Sequence, residues 1–254
     1  MKSLPPINPK SETGKIVDFL KSVQKKTGIN KVVIGISGGV DSATTHKLLQ
    51  KAYKPENIFA LSLPYEKIKS IVNKFEQLIF KEDSVQNFLS REKNTLPNLD
   101  RVRLGNIMAR VRMIILFDTA KRENALVCGT ENKSERLLGY FTRFGDAASD
   151  IEPISHLYKT HVYQLAKYLK VENKTIEAAP TAGLWAGQTD EGEFGFTYEE
   201  ADQVLYRLFD KKVPTTSVIL SEAKNLKKMG LKNADKIIER VLKNRFKLEV
   251  PYHL

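Results

Sequence analysis

Lys31-Val32-Val33-Ile34-Gly35-Ile36-Ser37-Gly38-Gly39-Val40-Asp41-Ser42 is the stretch on which the reading of this chain turns. Val32, Val33, Ile34 and Ile36 form an apolar, β-branched run of strand length, and the following segment, Ala43 to Tyr53, has a helical pattern. A strand that turns through Ser-Gly-Gly into a helix gathers free backbone N–H groups and the positive end of a helix at one point, which suits a phosphate. Gly38 and Gly39 remove the side chains that would hold the backbone away from a polyanion, and Ser37 and Ser42 add hydroxyl donors. Asp41 is the odd residue, because a carboxylate repels phosphate unless a hard cation such as Mg²⁺ lies between them. The loop therefore predicts a metal-nucleotide complex rather than bare phosphate. The Gly-Lys-Ser/Thr ending of a Walker loop is absent, and the bland alternative is a glycine-rich turn with no ligand.

Bulk properties narrow the class. With 254 residues, 41% of them hydrophobic, the chain can bury one substantial core, and residues 1–254 read as a single domain. No apolar run approaches the roughly 18 residues of a membrane span, and Met1-Lys2-Ser3-Leu4-Pro5-Pro6 lacks a signal peptide's apolar core. A cytoplasmic protein without a membrane partner is expected. The single cysteine, Cys128, excludes an internal disulfide and any Cys-Cys metal pair. The formal charge of +11 would suit nucleic acid, a membrane surface or an anionic small substrate. Its lysines are scattered, as at Lys21, Lys25, Lys26, Lys224, Lys227 and Lys228, in the manner of solvated helix faces, so no nucleic-acid partner is expected.

Working outward from the loop, Ser11 to Lys26 predicts a helix stopped by Gly28, and Ile58 to Leu63 a second strand that closes a right-handed, parallel βαβ unit. Glu66 to Phe80 looks helical, and the polar stretch to Asp100 reads as loop or a short helix. Gly105 to Lys121 predicts a long helix with apolar residues on more than one face, buried on two sides, the second covered by a twofold partner. Ala125 to Cys128 is a short buried strand, and Tyr158 to Leu169 an amphipathic helix. Pro180 to Phe196, polar and glycine-containing around Trp185, reads as a lid. Thr197-x-x-Glu200 is a capping box, and helices at about Thr216 to Lys228 and Ala234 to Asn244 finish the chain. The expected fold class is α/β, a doubly wound parallel sheet with helices on both faces.

Gly129-Thr130-x-x-x-x-Glu135 follows a strand, so it lies at the same carboxyl edge as the first loop, where such sheets bind ligands. Asp41 and Glu135 there would suit Mg²⁺ on a triphosphate, since Mg²⁺ takes only one or two protein carboxylates. The equal alternative is that Asn132-x-x-Glu135 is merely a helix capping box. Lys159 and Thr181 are a cation and a hydroxyl within reach of phosphates, or else a solvated lysine and a turn threonine. His46, His156, His161 and His253 show no metal-ligand spacing.

The first loop resembles the pyrophosphate loop of the N-type ATP pyrophosphatases, which adenylate an acceptor and release pyrophosphate. Further motifs narrow the resemblance to the ammonia-dependent NAD⁺ synthetases. They are Leu104-Gly105-Asn106-x-x-Ala109-Arg110-x-Arg112-Met113, Gly129-Thr130-Glu131-Asn132-Lys133-Ser134-Glu135, Leu138-Gly139-Tyr140-Phe141-Thr142-Arg143-Phe144-Gly145-Asp146, Leu157-Tyr158-Lys159-Thr160 and Pro180-Thr181-Ala182-Gly183-Leu184-Trp185-x-Gly187-Gln188-Thr189-Asp190-Glu191. The match runs from about residue 11 to the C-terminus. It implies an adenine nucleotide alpha hydrolase-like fold and the amidation of deamido-NAD⁺ (nicotinic acid adenine dinucleotide) by ATP and ammonia through an acyl-adenylate. By the same resemblance Gly35, Ile36, Ser37, Gly38, Gly39, Val40, Asp41, Ser42, Thr130, Lys159 and Thr181 hold ATP, and Asp41 and Glu135 hold Mg²⁺. Asp41, Glu135 and Lys159 then carry the chemistry. Arg110, Arg143, Asp150, Phe246 and Lys247 contact the dinucleotide, Phe246-Lys247 standing where many relatives carry His-Lys. A homodimer is implied, with the dinucleotide at the subunit interface.

One departure is expected. Between Leu63 and Arg103 there is room for one good helix but no convincing strand, so the third, edge strand of the family's sheet should be absent or reduced. Two rival readings remain at this stage: a related enzyme that adenylates a transfer RNA base, and a degenerate nucleotide-binding module without chemistry.

Overall fold

The computed structural model describes residues 4–64, 101–181, 183, 187–211, 226–228 and 230–249. At its centre, strands β1 (Val32–Gly35), β2 (Ile58–Leu61) and β3 (Leu126–Cys128) form a parallel sheet in the order β2-β1-β3. Val32 is in register with Ile58 on one side and Leu126 on the other. The outer edge of β3 is continued by one parallel bridge, Cys128 to Ile151, with the Gly129 N–H donating to the Ile151 carbonyl at 2.9 Å. Being central, β1 has Val32, Val33 and Ile34 all fully buried, which is why its sequence is apolar without alternation.

Helices α1 (Pro9–Thr27), α2 (Val40–Ala52), α3 (Arg101–Glu123), α4 (Lys133–Leu138), α5 (Lys159–Tyr168), α6 (Asn173–Glu177), α7 (Asp190–Phe194), α8 (Tyr198–Leu205) and α9 (Ala234–Asn244) follow in chain order. Successive strand side chains point to opposite faces. Val32 and Ile34 accordingly join α1, α2 and α5 in one core through Ile16, Leu20, Leu48, Leu49, Val162 and Leu165, while Val33 and Val127 meet Leu116, Phe117 and Ala120 of α3 on the other. The expected α/β architecture, with helices on both faces of a parallel sheet, is therefore present. A second apolar cluster joins α4, α7, α8 and α9 through Leu138, Phe194, Val204, Leu205, Ile237 and Ile238.

Local chemistry sets the element ends. Asn8 caps α1 by accepting from the Ser11 N–H at 3.1 Å, Pro9 opens the helix, and Gly28 ends it at φ +72°. Helix α2 starts at Val40, ahead of the expected Ala43, because Gly39 serves as an extended N-cap. That places Asp41 in the helix's first turn, pointing from the sheet's carboxyl edge.

Helix α3 is longer than Gly105 to Lys121; Met108, Ala109, Thr119 and Ala120 are buried, whereas Val102, near its start, and Ile114 are each 58% exposed. The lid expected over Pro180 to Phe196 is anchored at its C-terminal end, where Phe194 is buried and stacks on Phe196 with centroids 5.2 Å apart. Trp185, the helix expected at Glu66 to Phe80, the reduced edge strand and residues 216–225 of the penultimate helix lie outside the described residues.

Candidate functional site

Because β1 and β3 are parallel neighbours, the loops leaving their carboxyl ends lie side by side. In the first of these, Gly38 adopts φ +87°, a conformation that L side chains resist. Ser42 Oγ donates to the Gly39 carbonyl at 3.1 Å and accepts from the Ser37 N–H at 3.3 Å, and the two serine hydroxyls lie 3.0 Å apart. The Gly39 N–H is bonded to Ser37 Oγ at 3.2 Å. The serines thus brace the loop internally before any ligand arrives, a use the sequence alone did not indicate.

Lys159 brings the two loops together. It opens α5, is only 2% exposed, and donates from Nζ to Asp41 Oδ2 at 2.6 Å and to Glu135 Oε1 at 3.0 Å. Its ring contact is Tyr198, whose centroid lies 5.0 Å from the ammonium. Burial works against the lysine's charge, but Asp41 and Glu135 outweigh it and raise its pKa above the ordinary lysine value. Glu135 is pushed up to about 7, first by burial, with the Lys159 charge opposing.

Asn132, which the sequence suggested only as a cap, has two roles. Its Oδ1 accepts from the Glu135 N–H at 3.0 Å, capping α4, and its Nδ2 donates to Asp41 Oδ1 at 3.0 Å. The cap uses the Glu135 backbone N–H, and the Glu135 carboxylate pairs with Lys159. Two carboxylates already gathered around one cation are a donor set that fits Mg²⁺ arriving with phosphate oxygens and water. They do not make a self-sufficient metal cage, and no group of three or more His, Cys, Asp or Glu positioned for a metal occurs among the described residues.

The other expected residues form a second group or stand apart. Lys247 Nζ donates to the carbonyls of Gly139 at 2.6 Å and Phe141 at 3.1 Å, while the Arg143 guanidinium lies 5.1 Å from the centre of the Phe246 ring. The turn containing Phe246 and Lys247 thus holds the loop that carries Arg143. Thr142 ties that loop to α3 by donating from Oγ1 to Asn106 Oδ1 at 2.7 Å. Asp150 is exposed, with Oδ2 accepting the Val127 N–H at 2.7 Å, so one of its oxygens finishes the edge of β3. Arg110 is exposed on α3, Thr130 is half-buried just past β3, and exposed Thr181 accepts the Gly183 N–H at 3.1 Å. Among the described residues, Arg110, Asp150 and Thr181 make no hydrogen bond to either group.

Buried Asp190 and half-buried Glu131 and Glu152 were missed by sequence reasoning. Asp190 Oδ2 accepts from Tyr198 OH at 3.0 Å, joining α7 to the helix beneath Lys159. Glu152 lies against Gly129, where an added Cβ would come within 1.7 Å of Oε1, and its Oε2 accepts the Glu131 N–H at 3.2 Å. Burial, reinforced by neighbouring carboxylates, pushes Glu131 up to about 8 and, partly offset by hydrogen bonds from Ser149 and Glu131, Glu152 up to about 7. Nothing local in Glu131-Asn132 or Glu152-Pro153 announces that the Glu131 N–H will bond the Glu152 carboxylate.

The chain is similar to known proteins in sequence and in fold. The family model for NAD synthase matches residues 12–251. The chain is 40% identical to the NH(3)-dependent NAD(+) synthetase of Fusobacterium nucleatum, over 96% of this chain and 95% of that protein. It is 43% identical to the protein of the same name from Thermococcus kodakarensis, covering 80% of this chain and 83% of that one. Among solved structures, an NH3-dependent NAD synthetase from Campylobacter jejuni superposes with a TM-score of 0.64 at 33% identity, covering 98% and 100% of the two chains. A structure described as NMN synthetase from Francisella tularensis superposes with a TM-score of 0.71 at 31% identity, covering 98% and 99%.

Proposed function

The chain belongs to the NAD synthase family, whose members are ATP-dependent ligases that form NAD⁺ with ammonia, and we propose that it amidates deamido-NAD⁺ through an acyl-adenylate, releasing AMP and pyrophosphate. The observation that carries this reading is the convergence of Asp41, from the loop after β1, and Glu135, from the helix after β3, on buried Lys159.

Two displacements make up the reaction. A carboxylate oxygen of the nicotinate attacks the α phosphorus of ATP, and the bond from that phosphorus to the bridging oxygen breaks, so pyrophosphate leaves. Ammonia nitrogen then attacks the acyl carbon, the bond to AMP oxygen breaks, and loss of one proton gives the amide. The first N–H groups of α2, Val40 to Ser42, offer backbone donors to the phosphates from a loop braced by Ser37 and Ser42, with Thr130 and Thr181 adding hydroxyls. Lys159, kept charged by its carboxylates, faces the negative charge that grows on the leaving pyrophosphate. Asp41 and Glu135 would hold Mg²⁺, which when bound supplies further charge neutralisation on the phosphates. The Tyr140 to Asp146 loop, fixed by Thr142 and Lys247, presents Arg143 to the anionic dinucleotide, with Arg110 and Asp150 completing its contacts. The side of α3 that carries exposed Ile114 is the surface for a second copy of the chain.

The likeness to the Francisella tularensis protein favours a second reading, in which the acceptor is the deamido mononucleotide. One experiment addresses both. The purified protein is incubated with Mg-ATP, ammonium and either deamido-NAD⁺ or nicotinate mononucleotide, and the nucleotides are separated by chromatography. NAD⁺ and AMP in equal amounts, lost in Asp41→Asn, are expected with the dinucleotide. Preferential NMN formation would move the acceptor to the mononucleotide, and ATP bound but unconsumed with either would overturn both.

A further inference from the structure

The site's two principal helices have an unusual common anchor. Helix α5, which begins with Lys159, has no side-chain cap of its own, since Tyr158 at its N-cap position makes no such bond. The first N–H groups of a helix have no partner within the helix and are costly to leave buried and unbonded. Here they are satisfied from elsewhere in the fold. The Lys159 N–H donates to Ser134 Oγ at 2.8 Å, and the Thr160 N–H donates to Asp202 Oδ2 at 2.8 Å. Ser134, in the first turn of α4 beside Glu135, donates in turn from Oγ to Asp202 Oδ1.

We infer that Asp202 is a positioning residue for the synthetase reaction: its single carboxylate pins the N-terminal turns of α4 and α5 together and so sets the spacing of Glu135 and Lys159. This inference rests on the proposed function above. Asp202 is fully buried on α8, and both of its oxygens are engaged, one by each helix. One helical turn earlier, Tyr198 lies under the Lys159 ammonium and bonds Asp190 of α7, so the same face of α8 supports the lysine from below. A carboxylate is costly to bury. An apolar residue would fill the space but would leave the Thr160 N–H without its acceptor and the Ser134 hydroxyl without an acceptor for its proton. Asparagine would keep one acceptor and reverse the polarity of the bond to Ser134.

The test compares Asp202→Asn and Asp202→Ala with wild type, using kcat, KM for each substrate, binding of a non-hydrolysable Mg-ATP analogue, and thermal melting. For a misplaced but intact site, kcat falls about tenfold in Asp202→Asn and about a hundredfold in Asp202→Ala, while KM for deamido-NAD⁺ stays within about twofold. Ser134→Ala, which removes the intermediate hydroxyl, should lower kcat similarly, and combining it with Asp202→Asn should add little further loss. Should Asp202→Ala fail to fold, Asp202→Asn and Ser134→Ala carry the test. Folded variants that keep wild-type kcat would overturn the inference, as would equal damage to every kinetic constant in step with lost melting temperature. If wild type forms no NAD⁺, the functional reading fails separately, and the inference is then read from analogue binding, which should weaken at least tenfold in Asp202→Ala.

Discussion

Replacing Lys159 with methionine tests the electrostatics of the site without reference to turnover. The side chain is almost wholly buried and bonds two carboxylates at 2.6 and 3.0 Å, whose own side chains are 16% and 17% exposed. Methionine preserves the bulk of the lysine stem, so little packing is lost. What remains is a pair of carboxylates facing each other across the vacated ammonium, with Asp41 keeping its bond from Asn132. Removing one partner of a buried ion pair costs about 3–5 kcal/mol, and the residual exposure of the carboxylates places this case at the lower end, about 3 kcal/mol. In a chain of this size that is a fall in melting temperature of roughly 6–12 °C. The loss should shrink at lower pH, because Glu135, already raised to about 7 with Lys159 present, rises further without it and takes up a proton. Mg²⁺ should stabilise the variant more than it does wild type, since it would occupy the space between two freed carboxylates. Urea denaturation at pH 7.5 and 5.5, with and without Mg²⁺, reads all three effects. A loss below about 0.5 kcal/mol that is insensitive to both pH and Mg²⁺, the level of an exposed pair, would refute the argument.

Two further outcomes follow from buried groups and from backbone geometry. Glu131, Glu152 and Asp202 have folded pKa values raised to about 8, about 7 and about 6, each through burial first, so between pH 4 and 8 the folded state holds protons that the unfolded state has released. Raising the pH through that window should therefore lower the stability of the ligand-free protein, and calorimetry in buffers of different ionisation heat should find proton release on unfolding near pH 6. Gly139→Ala should cost about 2 kcal/mol or more, because the residue ends α4 at φ +63° and a Cβ there would lie 2.3 Å from Asn244 Cβ. Denaturation curves measure it, and a neutral substitution would mean that α9 can shift freely.

Much of this architecture is visible in the sequence because it is written locally. The run Val32 to Ser42 carries its own strand period, glycines and helix start, and it folds as a buried central strand, a braced loop and α2. Glu135 could be placed at the same edge because its segment follows a strand, whereas Lys159 was assigned to the site only through the family resemblance. Their meeting with Asp41 depends on which strands are neighbours, and β3 lying beside β1 settles that. The bonds that Asp202, Asn132, Ser134 and Glu152 make across the fold were not legible, since their partners are 21–91 residues away and no local period encodes such contacts. That this stretch of α3 forms a long helix was legible from its apolar content; of its residues Met108, Ala109 and Ala120 are buried while Ile114 stays exposed. Phe246 shows the opposite case: its ring lies against Arg143, a contact that follows from folding of the C-terminal turn onto a distant loop.

The most direct test of the account places ¹⁸O in the nicotinate carboxylate of deamido-NAD⁺ and follows it by mass spectrometry during turnover with Mg-ATP and ammonium. Attack of that carboxylate on the α phosphorus predicts one ¹⁸O in the phosphoryl group of AMP and none in pyrophosphate. Unlabelled AMP, or label appearing in inorganic phosphate with ADP as the co-product, would contradict adenylation at the loop after β1, Glu135 and Lys159.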